Sequence, residues 1–203
     1  MKDIKSLSRK SKNIKEFSKL YLKRLNEIFL SIDESKLIKF EETFNNARIK
    51  GNTIFVFGNG GSASTATTIA NDLGFDIIKK TKVKKTFKFF CLNDNTSVIT
   101  AIANDTGYEN IFINQLKIHF KKGDIALILS ASGNSKNLIK AAKWLKQKKA
   151  KILSIVGFSG GKIKKLSDIC VHAKCEKVEY GPIEDIHLIF NHILAHWFQK
   201  KLK

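Results

Sequence analysis

The sequence has little proline, methionine and cysteine, and each shortage narrows the possible classes of protein. One proline and one methionine occur among 203 residues. The cysteines, Cys91, Cys170 and Cys175, form no CxxC pair, and their odd number does not suit a disulfide framework. We therefore expect reduced, packed thiols rather than a disulfide or a metal site.

Long apolar runs are also missing. No stretch approaches the roughly 18 apolar residues that a membrane span requires. The amino-terminal residues MKDIKSLSRKSKNIKEF are basic, but they lack the apolar segment and cleavage site of a secretory signal. These absences predict a cytoplasmic protein without a membrane partner. Hydrophobic residues make up 43% of the chain, so a core can form without disulfides or metals.

Acidic residues are few relative to basic ones. The 18 acidic and 37 basic residues give a net charge of +19, which is compatible with nucleic-acid binding. The excess is mostly lysine dispersed along the chain, and this pattern is more typical of a solvated surface than of a groove. We therefore expect no specific nucleic-acid partner. Attraction for phosphorylated metabolites fits either interpretation.

Hydrophobic periodicity predicts two helices followed by alternating strands and helices. Apolar residues at three- and four-residue steps predict helices over 8–31 and 33–49, with Asp33 as a candidate cap. Short apolar runs predict buried strands at 53–57, 87–92, 125–129, 152–156 and 169–172. Further helices are predicted at 62–73, 95–104, 109–120, 136–148 and 182–201.

This alternation predicts an α/β fold, a three-layer sandwich around a five-stranded parallel sheet. We expect one domain over residues 1–203, with 8–50 as an added amino-terminal helical layer. Helices placed before the first strand in this way are often used for contacts between subunits.

Two loops rich in glycine and serine follow predicted strands and open helices. The first covers residues 58–64 (GNGGSAS), and the second covers residues 130–135 (SASGNS). Ligands of open parallel sheets bind beyond the carboxyl ends of the strands. Small residues, hydroxyl groups and the positive end of a helix dipole together suit a phosphate group.

Nucleotide-binding motifs fit these loops poorly. The Walker pattern is absent because no GKS or GKT follows. The dinucleotide pattern fits only loosely, and the acid expected about 20 residues further on is missing. A small phosphorylated ligand is therefore favoured. A third turn, residues 157–162 (GFSGGK), lacks the serine cluster, and we interpret it as structural.

Four motifs in this order resemble the SIS-domain phosphosugar isomerases, and the phosphoheptose isomerase group in particular. They are GNGGSASTA at 58–66, ANDTG at 103–107, SASGNSKN at 130–137 and YGPIEDIHLIFNHIL at 180–194. The resemblance implies conversion of sedoheptulose 7-phosphate, or a similar ketose phosphate, to the aldose phosphate through an enediol. It also implies a role in lipopolysaccharide or capsule synthesis, and a tetramer with active sites between subunits.

The same resemblance implies the roles of individual residues. Sugar binding maps to the first loop, phosphate binding to the second, and an Asn-Asp pair lies between them. The implied substrate-binding residues are Asn59, Gly60, Gly61, Ser62, Asn104, Asp105, Ser130, Ala131, Ser132, Ser135 and Glu184. His192 is the implied main acid/base group, with Asp72 or Glu184 as the second.

The family's zinc-binding pattern is only partly kept. The His and Glu on the helix after the first loop are Thr68 and Asp72 here, and the Gln and His on the last helix are Glu184 and His192. Asp72, Glu184 and His192 could hold zinc as three ligands with an open position. Thr68 argues against a copy of the four-ligand site.

Residue type alone leaves alternatives open. His187 and His196 are as good candidates for a functional histidine as His192. Asp72 could be a surface acid, and Glu184 could simply favour the first turn of its helix. The rival hypothesis is a non-catalytic SIS protein that binds phosphosugars or a replication initiator. Thr68 favours that rival, whereas His192 and the two acids favour the enzyme.

Overall fold

The computed structural model describes residues 3–177 and 179–203. Its first elements are the helices α1 (Ile4–Lys10), α2 (Ile14–Leu30) and α3 (Glu34–Lys50). The single helix predicted over 8–31 is wrong, because Asn13 caps a new helix by accepting a hydrogen bond from the backbone N–H of Glu16. Asp33 caps α3 as predicted.

Five parallel strands form the sheet within the described residues, in the order β2-β1-β3-β4-β5. They are β1 (Thr53–Phe57), β2 (Lys88–Cys91), β3 (Ile125–Ser130), β4 (Lys151–Val156) and β5 (Ile169–His172). The predicted three-layer α/β fold with a five-stranded parallel sheet is confirmed.

Helices connect each strand to the next. Between β1 and β2 lie α4 (Gly61–Ile69), a π-helical turn (Ala70–Phe75) and α5 (Asp76–Thr81). Between β2 and β3 lie α6 (Thr96–Thr106), a 3₁₀ turn (Tyr108–Asn110) and α7 (Ile111–His119). The remaining helices are α8 (Lys136–Gln147), α9 (Gly161–Leu166) and α10 (Tyr180–Lys201). The sequence did not predict α9, whose six residues are too few for a helical period.

Alternate residues of each strand enter two separate cores. On β1, Ile54 and Val56 join the core formed with α3, α4 and α10, whereas Phe55 and Phe57 join the core formed with α7 and α8. Because the central strands are buried on both faces, they appear in the sequence as continuous apolar runs.

The direction of the strand order reverses between β1 and β3. β1 leads into α4 on one face of the sheet, and β3 leads into α8 on the opposite face. The connections that follow these two neighbouring strands therefore leave on opposite faces of the sheet, and a crevice forms between them at the carboxyl ends of the strands. Both glycine- and serine-rich loops lie at that crevice.

The amino-terminal helices belong to the same body as the sheet. Ile28 of α2 and Phe40 and Phe44 of α3 share a core with Phe190 of α10. The residues predicted as an added layer therefore cover one face of the sheet. Within the described part of the chain, no helix is long and apolar enough to cross a membrane.

The cysteines are unpaired thiols in the structure. Burial raises the pKa of Cys91 and of Cys175 to about 11, so both remain protonated near neutral pH.

Candidate active site

The first loop lies against α10. A Cβ atom on Gly61 would lie 2.3 Å from the Cδ atom of Glu184, so the carboxyl group of Glu184 rests directly on the glycine backbone. Ser62 is buried, and its Oγ atom lies 3.4 Å from Nδ1 of His187. Gly60 precedes them with a φ of +57°, a conformation that favours glycine. The loop therefore meets α10 at two residues one helical turn apart.

The second loop is a tight turn held by its own serines. The Oγ atoms of Ser130 and Ser132 accept hydrogen bonds from the backbone N–H groups of Gly133 (3.0 Å) and Asn134 (3.2 Å). Ser135 occupies the N-cap of α8, but its side chain makes no capping hydrogen bond. The N–H group of Leu138 donates to Asn137 Oδ1, whereas the N–H groups of Lys136 and Asn137 before it have no cap from Ser135, which suits an anion.

The third glycine-rich turn supports the second loop from behind. A Cβ atom on Gly133 would lie 2.0 Å from the carbonyl oxygen of Gly160, and one on Gly161 would lie 2.5 Å from that of Gly133. The two backbones are thus in direct contact, which fits the structural role that we predicted. Ala131, at the start of the second loop, is buried.

A pair of amides joins the two loops across the crevice. Asn59 Nδ2 donates to Asn137 Oδ1 (3.0 Å), and Asn137 Nδ2 donates to Asn59 Oδ1 (2.9 Å). The hydroxyl group of Tyr108 also donates to Asn59 Oδ1, at 3.0 Å. Asn137 and Tyr108 were missed as functional candidates. The only signal in the sequence is that Asn137 falls within the SASGNSKN motif.

Asp72 and His192 are brought together by the π-helical turn and α10. Asp72 Oδ2 lies 3.7 Å from His192 Nε2 and accepts a 2.6 Å hydrogen bond from Nδ2 of Asn191. The side chain of His192 is 54% exposed, so a ligand can reach it. π-Helical turns occur frequently at functional sites, and here the turn carries the acid.

Glu184 does not join this pair. It lies eight residues before His192 on α10, about 12 Å along the helix axis, with its carboxyl group on Gly61. Among the described residues, no three His, Cys, Asp or Glu side chains form a group that could hold a metal ion. The hydroxyl group of Thr68 donates to the backbone carbonyl of Ser64. These side chains therefore do not fit the expected three-ligand zinc site.

Asn104 and Asp105 lie near the end of α6. Both side chains are exposed, and Asn104 Nδ2 donates to Asp105 Oδ1 at 2.8 Å. Tyr108, which reaches the first loop, follows closely in the chain. The segment predicted to bind substrate thus borders the first loop through Tyr108.

The other two histidines of α10 lie in different surroundings. His187 is fully buried, and desolvation lowers its pKa to about 4. Its Nε2 atom has no hydrogen-bond partner within the described residues. His196 is exposed and borders an apolar groove between α3 and α10. Of the three, His192 is the one placed beside a carboxylate.

A cavity of about 390 Å³ borders the second loop. It gives a ligand room beside Ser132, and the segment before α10 contributes a lysine to its wall. Its lining residues are Ser132, Asn134, Phe158, Ser159, Cys175, Glu176 and Lys177.

The switch-point crevice and its two serine-rich loops define a protein of the SIS-domain class. The family model for the SIS domain matches residues 20–157. A solved phosphoheptose isomerase from Francisella tularensis has the same fold, with a TM-score of 0.78 and 19% identity, over 92% of this chain and 96% of that one.

Two curated relatives identify the particular family. A probable phosphoheptose isomerase of Thermoplasma acidophilum is 32% identical over 91% of this chain and 98% of its own length. The phosphoheptose isomerase of Aneurinibacillus thermoaerophilus is 34% identical over 95% of this chain and 90% of its own length. The chain therefore belongs to the phosphoheptose isomerase family of SIS-domain proteins.

Proposed function

We propose that the chain converts sedoheptulose 7-phosphate, or a ketose phosphate of similar length, to the corresponding aldose phosphate. The observation that carries the proposal is the Asp72–His192 pair, in which a carboxylate and an exposed imidazole lie 3.7 Å apart. The same protein has a serine-rich loop at a helix N-terminus, an arrangement that suits a phosphate group. Family membership supports the same reaction.

Binding begins at the second loop in this proposal. The phosphate group takes the uncapped N–H groups at the start of α8 and hydroxyl groups of Ser130, Ser132 and Ser135. The sugar then extends across the crevice toward Asn59 and the glycines of the first loop. The lysine-rich surface attracts the dianion over a longer range.

Isomerisation needs one proton moved between two carbons. A base removes a proton from C1 of the ketose while an acid protonates the C2 oxygen, and this gives the enediol. The O1 proton is then lost as a proton returns to C2, which leaves an aldehyde at C1. We assign His192 as the main acid/base group, with Asp72 orienting it and Glu184 serving the oxygens near the first loop.

Assembly into a tetramer is a further part of the proposal. An apolar groove of about 530 Å³ lies between α3 and α10, with Ile38 61% and Trp197 47% exposed. Ile193, the residue after His192 in the chain, lines the groove, so a second copy seated there would lie close to the acid/base pair. The unpaired thiols suit the reducing cytoplasm.

The decisive experiment is NMR of the purified protein with sedoheptulose 7-phosphate in deuterated water, with and without added zinc. We expect the aldose phosphate to appear with deuterium at C2, since an exposed base exchanges its proton with solvent. If the sugar phosphate binds but no ketose phosphate is turned over in either sample, the non-catalytic alternative is correct.

A further inference from the structure

The amide pair that joins the two loops has its orientation fixed by the backbone. The N–H group of Leu138 donates to Asn137 Oδ1 at 2.9 Å, and a backbone N–H can only donate. Asn137 Oδ1 must therefore face Leu138 and Asn59 Nδ2. Asn137 Nδ2 must in turn face Asn59 Oδ1, so both amides are assigned without ambiguity.

This assignment leaves Asn59 with one free hydrogen-bonding group. A carboxamide offers two donor hydrogens and two acceptor lone pairs. Asn59 Oδ1 accepts from Asn137 and from Tyr108, and one Nδ2 hydrogen goes to Asn137. A single N–H remains for a ligand, so Asn59 can offer the sugar a donor but has no free acceptor.

The pair also spans the point where the fold separates its two halves. Asn59 precedes α4 on one face of the sheet, and Asn137 lies in the first turn of α8 on the other. The sheet alone fixes β1 against β3 but does not fix the loops beyond them. Asn137 is 2% exposed, and hydrogen bonds in such a setting are costly to lose.

We propose that Asn137 and Tyr108 are positioning residues that set the spacing between the sugar and phosphate loops, and thereby the preferred chain length of the sugar phosphate. The inference rests on the proposed function for the identity of the two loops. A ligand anchored by phosphate at α8 reaches the single N–H of Asn59 only if its carbon chain spans the fixed gap.

The test measures binding by calorimetry, which does not require turnover. Wild type, Asn137→Ala and Tyr108→Phe are titrated with sedoheptulose 7-phosphate, fructose 6-phosphate, ribulose 5-phosphate and inorganic phosphate. Wild type should prefer the seven-carbon sugar. Asn137→Ala should reduce that preference over the five-carbon sugar about tenfold, while affinity for inorganic phosphate stays within about twofold. Tyr108 is exposed, so the Tyr108→Phe variant should fold normally. Its preference for the seven-carbon over the five-carbon sugar should fall by less, about threefold, because only one of the hydrogen bonds to Asn59 is removed.

Gln115→Leu is the matched control. Gln115 is also a buried amide with two hydrogen bonds, to Leu92 and Ile111, but it joins neither loop. It should lose stability and keep the wild-type preference. Equal preference for all sugars in wild type, or an unchanged preference in both Asn137→Ala and Tyr108→Phe, would overturn the proposal. Retained preference without turnover would instead count against the isomerase function alone.

Discussion

His187, His192 and His196 share one helix, but their surroundings give them different chemistry. Burial keeps His187 neutral above about pH 4, so near neutrality it is not an imidazolium and has no acidic proton to donate. His192 lies beside Asp72 and is open to a ligand, whereas His196 faces the groove. By residue type alone, the three histidines were equal candidates. The spacing of residues along α10 predicts neither which histidine is buried nor which one lies beside Asp72 of the π-helical turn.

Replacing His192 by alanine should remove most of the activity. Loss of a positioned acid/base group costs about 10²–10⁴-fold in rate. Affinity for the sugar phosphate should remain, because the loop residues are untouched. Turnover of sedoheptulose 7-phosphate measures the first effect and calorimetry the second. His196→Ala is the control on the same helix, and an equal loss there would point to a packing role for this part of α10.

Removing two hydroxyl groups from the second loop should weaken phosphate binding. A ligand that binds only the folded state raises its melting temperature. Sedoheptulose 7-phosphate should therefore protect the wild type, and the double variant Ser132→Ala with Ser135→Ala should lose most of that protection. Ser159→Ala, which lines the cavity beside Ser132 but lies outside the second loop, is the control. Full protection of the double variant would contradict the phosphate assignment.

His187 should make stability depend on pH. Its pKa is about 4 in the folded chain and about 6.5 when unfolded, so only the unfolded state takes up its proton between those values. The contribution is complete above about pH 6.5 and is lost as the pH falls toward 4, by about 3 kcal/mol in total. Urea unfolding of wild type and His187→Gln at several pH values should show a flatter curve for the variant. Parallel curves would contradict this origin.

At the scale of whole elements, α2 holds the beginning of α10 in place. Arg24 donates from Nε (2.9 Å) and Nη2 (2.8 Å) to the carboxylate of Glu179, and both side chains are buried. One turn earlier, the Tyr21 hydroxyl donates to Asp185. Desolvation would raise the pKa of Glu179, but hydrogen bonds from Arg24 and the Glu176 backbone outweigh it and lower the pKa. The carboxylate therefore remains charged, and it anchors the helix that carries Glu184.

Arg24→Met should destabilise the fold strongly, because it leaves a buried carboxylate without its partner. Loss of one member of a buried ion pair costs about 3 kcal/mol or more. The exposed helical pair Lys80–Asp76 provides the control, and Lys80→Met should cost less than about 1 kcal/mol. Denaturant unfolding at neutral pH compares the two. Similar losses of stability in both variants would show that the buried Arg24–Glu179 pair stabilises the fold no more than an exposed ion pair does.

The sequence predicted the elements that a local apolar pattern marks. It did not predict the features that depend on contacts between residues far apart in the chain. The residues 53–57 predicted as a strand match β1, since a buried parallel strand needs an unbroken apolar run. The break before Asn13 and the π-helical turn at Asp72 carry no periodic signal. The contacts Asn59–Asn137 and Arg24–Glu179 join residues 78 and 155 positions apart, so only the folded chain reveals them.

At the scale of the whole molecule, the exposed groove between α3 and α10 predicts self-association. Light scattering at micromolar concentration should give the mass of a tetramer. The double variant Ile193→Asp with Trp197→Glu should dissociate, because it places charges in an apolar contact. Ile14→Asp alters an equally apolar side chain that is 79% exposed outside the groove, and it should leave the assembly intact. A monomeric wild type would exclude the proposed tetramer.

The contact between Gly61 and Glu184 has an evolutionary consequence. Any side chain at position 61 would occupy the space of the Glu184 carboxyl group. Each position therefore limits which residues can be tolerated at the other, although the two lie 123 positions apart in the chain. A homologue with alanine at position 61 must also carry a displaced or shorter side chain at position 184, so the two positions should covary among related sequences.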